Sequence, residues 1–269
     1  MQIKVQCPAK INLTLKVLNK REDGFHNIDS IMQTIGLYDY LTITVEDAEV
    51  FAIELSGTSA EIPYNEKNIV YKACNLFVEN VHIKPCKIHV HIEKNIPVAA
   101  GLAGGSTDAA GVLWGLNKLL GEVLTRVELH LLCAQLGSDL NLCLEGGCQK
   151  TSGRGEKLET MPFKEFNVSL IKPVALGISA KEAYTKFSAK NLAGMTGREN
   201  YVNDLEWAII DDYSELQTIK KMYPKAIMSG SGSTYYGIDM RFSEKEGFWV
   251  KNDIPAVKEG VVEEGNKAQ

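Results

Sequence analysis

Apolar and polar residues alternate through much of the first 55 positions. Ile11, Leu13, Leu15 and Val17 share one phase, as do Leu41, Ile43 and Val45, and then Phe51, Ile53 and Leu55. A period of two predicts half-buried strands there. The period lengthens over 68–81, where Ile69, Ala73, Leu76 and Phe77 form one stripe of a predicted helix. Alternation returns over 87–93, with Ile88, Val90 and Ile92 on one face and Lys87, His89, His91 and Glu93 on the other. A helix follows over about 106–120, with Gly121 placed to end it. Thr125 and Glu128 form a capping-box pair that opens the next helix, closed by Gly137.

Glycines at 146–147 and at 153 and 155 interrupt the pattern, and a domain boundary is expected beside them. The expected units are residues 1–152 and 153–269. In the second, the sequence predicts a strand over 168–171, a helix over 179–187, one or two helices over 203–223 and a strand over 235–238. A Ser/Gly run, Ser229-Gly230-Ser231-Gly232-Ser233-Thr234, precedes that last strand. The final 27 residues are charged and carry few signals. Strands and helices mix without strict βαβ alternation, which predicts an α+β fold in two domains.

The most informative segment lies between the strand at 87–93 and the helix at 106–120. It reads Pro97-Val98-Ala99-Ala100-Gly101-Leu102-Ala103-Gly104-Gly105-Ser106-Thr107-Asp108. Small residues running into a helix start make an anion site, because unpaired N–H groups and the helix dipole both favour negative charge. Ser106 and Thr107 can cap that helix or reach a bound Mg²⁺. No Lys follows in P-loop spacing, so a nucleotide held here needs a cation from elsewhere in the chain. A Gly-rich turn before a buried helix is the plainer alternative.

Composition narrows the options. With 29 basic and 34 acidic residues the net charge is −5, which argues against a nucleic-acid partner. No apolar run reaches the roughly 18 residues of a membrane span, and residues 1–13 lack a signal-peptide core. The chain is expected to be cytoplasmic, without a membrane partner, and a monomer or homodimer. Six cysteines without C-x-x-C spacing predict buried free thiols. His89 and His91 read as a solvated strand face, with no further metal ligands near them.

Several polar residues stand out individually. Lys10 interrupts an apolar strand opening, Pro8-Ala9-Lys10-Ile11-Asn12-Leu13. Taken alone, a surface lysine on an edge strand is the commoner case; a cation beside a phosphate or an acid is the functional one. Asp139 follows the helix ended by Gly137 and reads either as a helix cap or as a general base. Phe25-His26 lies in a turn and offers stacking next to an edge-reading imidazole, although a lone turn histidine is usually solvated.

Together, residues 8–13, 97–110 and 228–236 resemble the superfamily of galactokinase, homoserine kinase, mevalonate kinase and phosphomevalonate kinase. Further stretches are similar to its branch acting on a cytidine-diphosphate-linked polyol: Arg21-Glu22-Asp23-Gly24-Phe25-His26, Lys67-Asn68-Ile69-Val70-Tyr71-Lys72-Ala73, Leu136-Gly137-Ser138-Asp139 and Asn203-Asp204-Leu205-Glu206. The resemblance implies a two-domain small-molecule kinase fold with its site in the cleft between the domains. It implies ATP and Mg²⁺ as cofactors and phosphorylation of the 2-hydroxyl of 4-diphosphocytidyl-2-C-methyl-D-erythritol. Asp139 is then the base, with Lys10 beside it. Gly101, Leu102, Ala103, Gly104, Gly105, Ser106 and Thr107 wrap the phosphates, with Ser106 or Thr107 near Mg²⁺. Asn68, Ile69 and Lys94 lie on the adenine side, and Pro97 and Asp108 complete the nucleotide site. His26 reads cytosine, Phe25 and Tyr184 sandwich it, and Asn12, Ser233 and Thr234 contact the acceptor.

Four features depart from the family pattern. Ala103 stands for a glycine, Phe25 for a tyrosine, and Leu140-Asn141-Leu142 for a Val-Pro-Phe-like run. The stretch after Ile238 is also too short for the usual helix. A sibling kinase of homoserine or mevalonate and a non-catalytic nucleotide-binding paralogue are the alternatives. Phe25, His26 and Tyr184 argue against the first, and retention of both Lys10 and Asp139 argues against the second.

Overall fold

In the computed structural model, which describes residues 1–265, the early alternation becomes two long antiparallel strands. These are β1 (Gln2–Lys20) and β2 (His26–Asp47), joined by a turn in which the Arg21 N–H donates to the Phe25 carbonyl. Their register slips between Pro8 and Ala9 and again between Asn12 and Thr14. Such irregularities re-aim side chains. Here every residue from Cys7 to Asn12 is buried, where strict alternation would expose every second one. Lys10 and Asn12 are thereby turned inward, and Leu13, expected inside, is only half-buried.

The other elements of the first half are β3 (Ala52–Gly57), α1 (Ile69–Asn80), β4 (Cys86–Glu93), α2 (Gly104–Leu119), α3 (Arg126–Leu136), α4 (Leu140–Glu145), β5 (Cys148–Ser152) and β6 (Lys157–Thr160). Asn68 caps α1 through the Val70 N–H, and Thr125 and Glu128 form the capping box of α3. β2 is long enough to pair with β4 along Tyr40–Asp47 and with β5 along Ser30–Gln33. β3 joins β4 in parallel.

The second half contains β7 (Asn167–Pro173), α5 (Ala180–Leu192), α6 (Asp204–Ile209), α7 (Ser214–Met222), β8 (Ile227–Met228), β9 (Tyr235–Ile238), β10 (Phe248–Pro255) and β11 (Val262–Glu263). A four-stranded antiparallel sheet runs β10-β7-β9-β8. β11 returns to β1, so the larger sheet runs β11-β1-β2-β4-β3, with β5 and β6 attached through β2. The glycines at 153 and 155 make the β5–β6 turn with positive φ, and the chain stays in the larger sheet as far as Thr160. Neither β10 nor β11 has a signal in the charged final stretch.

Three apolar clusters result. One lies between the larger sheet and α1–α4, and includes Leu41, Phe77, Ile88 and Val112. A second surrounds α5–α7 with Phe187, Ile209 and Met228. The third joins the halves, bringing Ile11 and Ile35 against Leu102, Leu170 and Tyr236. The Tyr236 hydroxyl donates to the Asn12 carbonyl at 2.9 Å within that junction. All six cysteines are free and buried. Among the described residues, no helix is long and apolar enough to cross a membrane.

Candidate active site

A cavity of about 1100 Å³ lies where β1, α2, α4, α5 and the two small-residue loops meet. At its floor, Lys10 Nζ stands 3.4 Å from Asp139 Oδ2 and donates to Asn12 Oδ1 at 2.7 Å. Asn12 is held in turn by donating to Ser30 Oγ at 3.0 Å. Asp139 occupies the N-cap position of α4 but makes no capping bond, so its carboxylate is available to Lys10 and the cavity. Leu140-Asn141-Leu142 is the first turn of α4, and all three residues are buried.

The glycine loop forms the next wall. The Lys10 N–H donates to the Leu102 carbonyl at 3.1 Å, tying the loop to β1. Any Cβ on Gly101 would overlap the Ser229 carbonyl oxygen, so only glycine lets the two loops meet. Ala103 takes a left-handed conformation with φ 60°, one residue before α2. The helix therefore starts at Gly104, two residues earlier than the sequence pattern suggests, and neither Ser106 nor Thr107 caps it.

Beneath this loop, Lys94 pairs with Asp39 and, at 2.9 Å, with Asp108. Asp39 also accepts the N–H groups of Asn95 and Ile96 at 2.6 and 2.8 Å. Two carboxylates share one ammonium out of water, and burial together with Asp39 pushes the Asp108 carboxyl up to about 7. Burial opposes the charge on Lys94, but Asp108 and Asp39 outweigh it and hold its pKa above the ordinary value.

The far end of the cavity is aromatic. His26 stacks on Tyr184 with ring centroids 5.4 Å apart and 18° between planes, and its Nε2 is 3.1 Å from Ser188 Oγ. Burial, reinforced by Lys20, lowers the imidazole pKa and favours the neutral ring. Phe25 is half exposed, with the Arg154 guanidinium 5.0 Å over its ring. The glycine loop, a Lys–Asp pair and an aromatic pocket thus share one continuous cavity.

Residues 68–148 match the GHMP kinases N terminal domain. The 4-diphosphocytidyl-2-C-methyl-D-erythritol kinase of Clostridium tetani is 37% identical over 257 residues, covering 87% of this chain and 90% of that one. Its counterpart in Clostridioides difficile is 38% identical over 267 residues, covering 91% and 88%. The chain belongs to the 4-diphosphocytidyl-2-C-methyl-D-erythritol kinase family. A crystal structure of a 4-(cytidine 5'-diphospho)-2C-methyl-D-erythritol kinase superposes with a TM-score of 0.69 at 26% identity, covering 96% of this chain and 100% of that one. Homoserine kinase from Cytophaga hutchinsonii shares the fold, with a TM-score of 0.68 at 15% identity, covering 97% of each chain.

Within this family member, the cavity brings together Lys10, Asn12, Phe25, His26, Asn68, Ile69, Lys94, Pro97, Gly101, Leu102, Ala103, Gly104, Gly105, Ser106, Asp108, Asp139 and Tyr184. Three residues expected there face elsewhere. Thr107 is fully buried on the core side of α2 near Cys143, and its N–H is spent on the Ala103 carbonyl at 2.9 Å. Of the two hydroxyls proposed for Mg²⁺, only that of Ser106 borders the cavity. Ser233 and Thr234 are also fully buried. The Ser233 hydroxyl donates to the Leu176 carbonyl and the Thr234 N–H to that of Ala100, so both brace the loops from behind. Gly230 and Ser231 line the cavity in their place.

Asp39 and Arg154 escaped the sequence reading. Asp39 had a usable signal, because it falls in phase with Leu37, Leu41, Ile43 and Val45, where a charge must be buried. Arg154 had none beyond its place between two turn glycines.

Proposed function

We propose that this chain transfers the γ-phosphoryl group of ATP to the 2-hydroxyl of 4-diphosphocytidyl-2-C-methyl-D-erythritol. The observation that carries the reading is the Lys10–Asp139 pair at 3.4 Å on the floor of the cavity shared by the glycine loop and the His26–Tyr184 stack. Phosphoryl transfer needs alignment and charge neutralisation more than covalent help. Asp139 accepts the proton of the acceptor hydroxyl. Lys10, fixed by Asn12, balances the charge that develops between the attacking oxygen and the phosphoryl group. The N–H groups at the start of α2 receive the triphosphate.

His26 and Tyr184 support a cytosine-bearing acceptor. Homoserine and mevalonate have no ring to stack there, which disfavours a sibling kinase.

Among the described residues no group of three or more His, Cys, Asp or Glu side chains forms a metal cage. Ser106 and Asp139 offer oxygen donors, the type Mg²⁺ takes, and this ion is commonly held by one or two carboxylates together with substrate phosphates. Ser106 is the hydroxyl at the loop that would hold it, with the Asp139 carboxylate, paired to Lys10, on the same cavity. When bound, the ion supplies charge neutralisation at the phosphate oxygens.

The test is ADP release from purified protein with ATP, Mg²⁺ and this acceptor, run beside Asp139→Asn. Acceptor-dependent ADP that falls by about 10²-fold or more in the variant supports the reading. ATP binding without ADP release rejects it. ADP release with homoserine or mevalonate alone transfers the assignment to a sibling.

A further inference from the structure

The run Asn203-Asp204-Leu205-Glu206 plays no part in the chemistry above, yet all four residues are buried. Asp204 ties the run to β1, while Glu206 and Asn203 both reach Met228. Asp204 accepts the Val17 N–H at 2.8 Å and Lys16 Nζ at 3.1 Å, with the Arg198 guanidinium beside it, which anchors α6 to β1. Glu206 accepts the Met228 N–H at 3.4 Å and pairs with Lys220 at 3.1 Å. Asn203 uses its amide in both directions. Its oxygen caps α6 by accepting the Leu205 N–H at 2.9 Å, and its nitrogen donates to the Met228 and Gly230 carbonyls, both at 2.8 Å.

Those two carbonyls flank Ser229, where the second loop presses on the first. Ser229 Oγ donates to the Gly101 carbonyl at 3.0 Å. A Cβ on Gly230 would stand 2.9 Å from the Gly101 oxygen and 3.2 Å from Lys10 Nζ, so the Gly230 backbone packs against both. Asn203 thus lies behind a strip of chain whose front touches the phosphate loop and the Lys10 ammonium. Of the side chains that fit this space, only an amide supplies two donors and an acceptor together.

We propose that Asn203 is a positioning residue for phosphoryl transfer: its amide clamps the second loop so that Gly230 holds Gly101 and Lys10 in working register. The proposal rests on the kinase reading and extends it to a residue that touches no reacting atom.

The experiment compares Asn203→Asp and Asn203→Ser with wild type. Both replacements cap a helix as well as Asn does. Neither supplies the two donors. A residue that only caps α6 would leave kcat and both KM values unchanged in the two variants, and that result overturns the proposal. The clamp predicts a fall in kcat of about tenfold or more, on the way to the roughly 10²-fold that a misplacement of about 1 Å can cost. KM for ATP rises as well, while competition by CDP at the acceptor end stays at its wild-type value.

Ser229→Ala attacks the same strip from its front and serves if the Asn203 variants do not fold. It too must lower kcat/KM for ATP, and no change overturns the proposal. Where both single variants fold, the double variant Asn203→Ser/Ser229→Ala must show less than the product of the two effects; independent, multiplicative effects also overturn it. Hydrogen exchange gives a readout that does not depend on turnover. Amides over 99–103 must exchange faster in Asn203→Ser even if wild type proves inactive on this acceptor. Unchanged exchange there overturns the clamp, whereas inactive wild-type protein with faster exchange in the variant overturns the kinase assignment alone.

Discussion

Lys10 and Asp139 meet at 3.4 Å although one lies on a strand near the start of the chain and the other at the head of a short helix far along it. Their exposures differ, 3% for the lysine side chain and 27% for the aspartate. The cation is therefore the preorganised member and the carboxylate the accessible one. That asymmetry suits a base that must reach a substrate proton while its charge partner stays still.

Lys10→Met keeps most of the side-chain volume and removes the charge. The expected result is a fall in kcat of about 10²–10³-fold, the usual cost of losing one preorganised electrostatic contact, with little change in KM for ATP. Steady-state kinetics with both substrates varied checks this. Loss of Asn12's partner should also cost about 1–3 kcal/mol of stability, read by denaturant unfolding.

Tyr184 and His26 form the stack at the other end of the cavity. Tyr184→Leu should raise KM for the acceptor by roughly 10- to 100-fold, corresponding to about 1–3 kcal/mol of stacking, and leave KM for ATP alone. Because burial and Lys20 hold the His26 pKa below 6.5, the neutral ring persists at pH 6.5 in the native protein. The unfolded chain binds that proton first, so His26 destabilises the fold as pH falls through its unfolded pKa.

Asp108 has the opposite pH signature. Its carboxyl is raised from 3.8 to about 7, so between those values the folded protein holds a proton that the unfolded chain has released. Stability contributed by this group is complete below its unfolded pKa and is lost as pH climbs toward 7. Asp108→Asn should flatten that part of the stability–pH curve while Lys94 keeps Asp39 as partner. Urea midpoints from pH 4 to pH 8 measure it, and an unchanged slope would count against the shift.

Ala103 sits at φ 60°, where an L side chain is strained and glycine is not. Ala103→Gly should raise stability by about 0.5–1 kcal/mol, reduced by loss of the methyl group's packing against the first core cluster. A thermal melt reads the sign. A lower Tm would mean that the methyl contributes more than the backbone strain costs.

Local physics was legible in the sequence wherever it acts over a few residues. Alternation marked β1 to β4, the longer period over 68–81 marked α1, the Thr125–Glu128 pair marked the start of α3, and the small residues at 97–105 marked a loop running into α2. Each signal is carried by neighbours along the chain, as pleat, cap or backbone freedom. The final stretch was opaque because β10 and β11 exist by pairing with β7 and β1, and their own residues alternate only weakly.

Tertiary structure decided which of the plausible polar residues reach the cavity. Ser106 and Thr107 are adjacent, but one helical step of about 100° leaves the first at the cavity and turns the second into the core beside Cys143. Ser233 and Thr234 brace the loops from behind because their loop is pinned by Asn203 and Gly101. The slips in β1 turned Lys10 and Asn12 inward, and packing of α4 against β1 brought Asp139 to Lys10. The chain by itself set its strands, caps and glycine loop, since those depend on near neighbours. The direction of each functional side chain came only with folding, because it depends on what packs against the other face.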